Sequence, residues 1–155
     1  MIVGMNTHRL LVALAAAACL ASAAVHAAPA SDCVPQWRQG WVRLPPSPAM
    51  PMAAGFGEFG NACATPAVVV SASSPAFGEV SLHETTQVAG VSRMREVERL
   101  PLPAGGKVAL APGGLHLMLM QPKQALVEGA SVPVAFQLQD GRVIEATLQV
   151  RKVAP

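Results

Sequence analysis

Tyrosine is missing from this sequence, and four phenylalanines and two tryptophans are its only aromatic residues. Charge is nearly as scarce, at 13% of residues, and the eleven basic and nine acidic side chains are scattered, leaving a net charge of +2. Without a Lys/Arg block or a basic run interleaved with aromatics there is no phosphate-binding face, which excludes nucleic acid as a partner. A chain that is 52% apolar with so little charge is also not a disordered one, and 155 residues suit one compact domain. The three cysteines include no C-x-x-C pair, the close arrangement that redox and metal-binding thiols use. Against these gaps, seven methionines and four histidines stand out.

The N-terminus is an address. Asn6-Thr-His-Arg9 precedes an Ala/Leu/Val run from Leu10 to Ala24, and Val25-His26-Ala27 places small residues at the positions one and three before a cut. This is the pattern of a secretory signal peptide over residues 1–27, cleaved after Ala27, and it implies an exported protein. The apolar stretch is about 15 residues, short of the roughly 20 that a bilayer crossing needs. Cys19 follows Ala16-Ala17-Ala18, a faint lipoprotein box that lacks the usual Leu three positions earlier. Removing residues 1–27 leaves His83 and His116, five methionines, and Cys33 and Cys63. In an oxidising compartment these two cysteines are expected to form a disulfide. Closing a loop of about 30 residues would stabilise the domain by roughly 3.5 kcal/mol.

Residues 28–52, rich in Pro and Ser around Trp37 and Trp41, read as irregular or extended chain packing on the domain that fills 53–155. Beyond it come short apolar segments of strand length, separated by Gly, Pro, Asn and Asp: Val68–Val70, Glu79–His83, Val108–Leu110, Leu115–Met120, Val132–Gln139 and Arg142–Val150. The last two flank Asp140-Gly141 and predict an antiparallel hairpin. No helix-period segment of ordinary length competes with them once the signal is set aside, so the domain is expected to be an all-β sandwich or barrel.

Chemistry concentrates in Leu115-His116-Leu117-Met118-Leu119-Met120, which alternates without exception. In a strand the three Leu point to the core, and His116, Met118 and Met120 share the other face, where an imidazole and two thioethers are an odd way to meet solvent. The Pro112-Gly113-Gly114 turn places His116 near a loop end. His83 follows Val80 and Leu82 and points away from that apolar pair; Met94 lies in a segment of imperfect alternation, a loop or bulged strand, whose direction the pattern does not assign.

Together these four residues read His83-x10-Met94-x21-His116-x-Met118. That spacing resembles the signature of the PCuAC family of periplasmic copper chaperones. The likeness extends to Val80-Ser-Leu-His83-Glu84, Gly90-Val-Ser-Arg-Met94, Leu102-Pro-Ala-Gly105, Pro112-Gly-Gly-Leu-His116-Leu-Met118 and Trp41-Val-Arg43, covering residues 40–150. It implies a cupredoxin-like Greek-key sandwich or barrel and a monomer without enzymatic activity. In that reading the chain binds Cu(I) through His83, Met94, His116 and Met118. It supplies copper to the copper-site subunit of cytochrome oxidase, alone or with an Sco-type thiol protein.

The donor types agree independently, since thioether and imidazole suit Cu(I), survive an oxidising compartment, and form a neutral set that favours a monovalent ion. Zinc has little use for Met. Met50, Met52 and Met120 stand as accessory ligands or recognition contacts, and Trp41 with Arg43 as a packing and salt-bridge pair. The Cys33–Cys63 pair departs from the family pattern. Three other readings fit the residues less well. An electron-transfer cupredoxin needs a reduced thiolate beside its copper. A secreted β-sandwich interaction module would use its methionine-rich edge for protein and bind no copper. A Ser/His hydrolase has no spare histidine left to act as base.

Overall fold

Alternation of apolar and polar side chains builds this fold strand by strand. In the computed structural model, which describes residues 32–154, ten strands and no helix occur among the described residues. They are β1 (Gln36–Arg43), β2 (Met52–Gly60), β3 (Ala67–Ser73), β4 (Phe77–Val88), β5 (Val91–Glu96), β6 (Leu100–Leu102), β7 (Lys107–Leu110), β8 (Leu115–Pro122), β9 (Ser131–Leu138) and β10 (Val143–Arg151). β9 shows the rule most plainly: Val132, Val134, Phe136 and Leu138 are buried, while Ser131, Pro133 and Gln137 are exposed. The signal-peptide reading over residues 1–27 lies outside the described residues.

The strands run in the order β5-β4-β8-β2-β1-β10-β9-β3-β6, with β7 pairing the second half of β2. All pairings are antiparallel except that of β1 with β10. Side chains from both halves of this sheet meet in one core, in which Val42, Phe59, Val69, Leu117, Leu119, Phe136, Leu148 and Val150 are completely or almost completely buried. The expected all-β single domain is therefore what the described residues form.

The hairpin expected around Asp140-Gly141 joins β9 to β10 in continuous register. Gly141, at φ 89°, takes the left-handed conformation that closes the turn, and its N–H donates to Leu138 O at 3.0 Å. Cys33 and Cys63 are bonded, tying the chain before β1 to the turn after β2. Beside them Asn61 is buried, and its side-chain amide donates to Thr65 O and Leu102 O while its carbonyl accepts from the Cys63 N–H.

Two differences from the sequence reading concern the N-terminal third. The stretch 28–52, expected as irregular or extended chain packing on the domain, contains β1, which is extended but lies within the sheet between β2 and β10. The strand β2 also had no counterpart among the expected segments. Each escapes the pattern for its own reason. A bulge between Arg38 and Trp41, with Gln39 at φ 52°, breaks the alternation of β1. Small residues dominate β2 because Trp37 lies against it: a Cβ on Gly57, or on Gly40 of β1, would stand 2.3 Å from the Trp37 ring. Trp37 in turn packs at 4.7 Å from Phe59 and 4.9 Å from Phe136.

Candidate metal centre

The site grows from β8. Leu117 and Leu119 are fully buried on the core side, and His116, Met118 and Met120 take the opposite face, as alternation requires. That face is not open at His116, which is only 7% exposed. Phe56, which the sequence offered no means of singling out, lies with its ring 6.5 Å from the His116 ring. Trp41 stacks on Phe56 at 4.7 Å, and the Arg43 guanidinium lies over both rings, 5.7 Å from Trp41 and 5.2 Å from Phe56. Arg43 thus makes a cation–π contact where a salt bridge was expected.

β4 pairs with β8 so that His83 stands directly across from His116 and Ser81 across from Met118. The two imidazole centroids are 6.0 Å apart. Ser81, which alternates with His83 and so was detectable, brings its Oγ within 3.0 Å of His83 Nε2. His83 Nδ1 is buried with no hydrogen-bond partner.

Met94 arrives from the other side. β4 and β5 form a hairpin through Ala89 and Gly90, in unbroken register from Val88–Val91 to His83–Glu96. The expected loop or bulge is thus a regular strand, exposed along its whole length. Met94, 53% exposed, reaches past β4 to place its sulfur 3.3 Å from His116 Nε2.

The hydrogen bonds decide what this contact can do. His116 Nδ1 is 2.9 Å from Gly114 O, and a carbonyl only accepts, so Nδ1 carries the proton. In the neutral ring Nε2 then presents a lone pair to a thioether sulfur, which also has lone pairs to offer. Two donor atoms of this kind converge favourably on an electrophile between them. Their 3.3 Å separation is close to the ~3.5 Å between nitrogen and sulfur ligands of a tetrahedral ion at ordinary bond lengths. The unpartnered His83 Nδ1 is a further buried nitrogen whose desolvation a bound cation would offset. Of the four sequence-selected residues, contacts link His116 with Met94 and with His83, and Met118 joins them by register. The four residues themselves include no carboxylate or thiolate; the carboxylate nearest in register is Glu96, which stands across from His83 on the same face.

A family model described as "LpqE-like: Putative lipoprotein LpqE-like" matches residues 36–150. A protein of Leifsonia xyli subsp. xyli, named "Putative lipoprotein Lxx21020", is 36% identical over 157 aligned positions, covering 94% of this chain and 92% of the relative. Among solved structures, the apo PCuAC domain from PmoF1 superposes with a TM-score of 0.64 at 21% identity, covering 80% of this chain and 98% of that domain. The solution structure of CuI-DR1885 from Deinococcus radiodurans gives a TM-score of 0.59 at 29% identity, covering 83% of this chain and 82% of that one. On the family model and the Leifsonia relative the chain belongs to the LpqE-like family, and its fold is that of the PCuAC domains.

Proposed function

We propose that this protein is a Cu(I) carrier of the cell envelope that holds one ion with His83, Met94, His116 and Met118. The observation that carries the reading is the convergence of His116 Nε2 and Met94 Sδ at 3.3 Å with His116 Nδ1 held by Gly114 O. A neutral set of imidazoles and thioethers suits a soft monovalent cation better than a divalent one. Support also comes from the copper(I) form of the Deinococcus relative at 29% identity. Both remaining cysteines are joined to each other, which leaves no thiolate for a blue-copper centre.

Neutral thioethers hold Cu(I) less firmly than thiolates, so the site is suited to surrender its ion. We assign the acceptor as the copper-site subunit of cytochrome oxidase, reached directly or through an Sco-type thiol protein. The protein is thus a carrier rather than an enzyme. For its location we take the periplasm, with the signal pattern supporting export and a chain starting at Ala28. The word lipoprotein in the names of the family and the relative favours a second form, acylated at Cys19. Intact mass of the exported protein distinguishes the two.

The test is a competition titration with a Cu(I) chelator on the disulfide-intact protein, followed by mixing with a reduced dithiol acceptor. One equivalent should bind tightly enough to compete with the chelator, and it should then move to the acceptor. Absence of binding above background would overturn the reading. Binding without transfer would leave a metal site but no carrier.

A further inference from the structure

Methionine ordinarily fills gaps in cores, yet none of the five described methionines belongs to the buried core of this domain. Four of them lie on the outer face of one sheet. Met118 and Met120 alternate along β8 on the side opposite Leu117 and Leu119. Met52 of β2 is the direct cross-strand partner of Met120, next to the pairing of Ala54 with Met118. The side chains of such a pair share a face with Cβ atoms about 5 Å apart, and Met118 follows about 7 Å along the strand. The fourth, Met94, covers His116 at the far end. Met52 is 36% exposed and Met120 half-buried, so solvent reaches this end of the row. The start of β2 is held in place, because Gln121 N–H donates to Pro51 O at 2.7 Å.

We infer that Met52 and Met120 form an outer subsite for a soft monovalent cation, weaker than the four-residue site and leading into it through Met118. Two thioethers on a preorganised sheet can hold Cu(I) or Ag(I) without any change of oxidation state. Passage inward is ligand exchange, in which each new metal–sulfur bond forms as one to the preceding methionine breaks, with the ion remaining +1 throughout. The subsite deepens the copper reading, since it is the entrance to that site.

The test uses the exported, disulfide-intact protein labelled with 13C at the methionine methyl groups and titrated with silver nitrate in chloride-free buffer. The first equivalent is expected to shift the Met94 and Met118 methyls, and the second those of Met52 and Met120, with an affinity at least about 100-fold lower. The double variant Met52→Leu/Met120→Leu keeps the apolar volume. It should lose the second equivalent, retain the first at unchanged affinity, and load from a chelated Cu(I) donor several-fold more slowly. Silence of the Met52 and Met120 methyls through saturation would make this row a contact surface for protein and overturn the inference. So would an unchanged second equivalent in the double variant. Shifts at Met52 and Met120 with none at Met94 and Met118 would instead support the outer pair and overturn the four-residue site.

Discussion

At the scale of single residues, the proposed centre depends on which atoms are already committed. His116 uses Nδ1 for Gly114 O and keeps Nε2 for Met94, so its tautomer is settled by a backbone carbonyl before any ion arrives. Met118 is the residue that tests the ligand set most cleanly. Met118→Leu removes the sulfur while keeping size and apolarity, so the fold should survive within about 1.5 kcal/mol. Cu(I) affinity should fall at least tenfold in a chelator competition. Met120→Leu is the control, and the affinity of the four-residue site should not change. The reverse result would show that the wrong methionine had been placed in the site.

At the scale of elements, the hairpins are where the sequence can be improved or weakened predictably. Ala89 and Gly90 both sit at positive φ, 49° and 78°, between Val88 and Val91. Two-residue turns of this kind favour Asn-Gly, since alanine is strained in the left-handed region. Ala89→Asn should raise stability by about 0.5–1 kcal/mol, read as a higher midpoint in urea. Because the same hairpin carries Met94, Cu(I) affinity should hold or rise.

The β9–β10 turn behaves differently. The Arg142 side chain and backbone N–H both donate to Asp140, and this holds its carboxyl below the usual carboxylate range. Arg142 also donates to Cys33 O, so the turn is tied to the segment that the disulfide anchors. A depressed carboxyl contributes stability above its unfolded pKa and loses it as pH falls through the folded value. Asp140→Asn should therefore lower the urea midpoint at pH 7, with the difference from wild type shrinking in acid. Asp140 is half exposed, which keeps the effect small.

At the scale of the molecule, the proposed ligands come from β4, β5 and β8, which neighbour one another only in the folded sheet. Cu(I) should therefore bind the native state alone. With free Cu(I) held at about a thousand times the dissociation constant, the fold should gain roughly 4 kcal/mol. A thermal melt under buffered Cu(I) reads this as a clear upward shift, with a smaller one for zinc. No shift would count against a site assembled across three strands.

Much of this was legible in the chain. The alternation of Leu115–Met120 determined which side chains share a face, because successive residues of a strand point to opposite sides whatever the tertiary context. The last hairpin was written in Asp140-Gly141, and the disulfide followed from the two cysteines left once residues 1–27 are set aside. The four-residue spacing marked His83 and Met94 when neither residue alone would have. What remained hidden was decided by pairing between distant segments. β1 and β2 carry no clean alternation, because a bulge interrupts β1 and the glycines at positions 40 and 57 make room for the Trp37 ring. The position of His83 opposite His116, the reach of Met94 past β4, and Phe56 beside His116 all depend on the order β5-β4-β8-β2. A local pattern specifies the face on which a side chain lies; only the strand order, set by burying one shared core, specifies what it meets there.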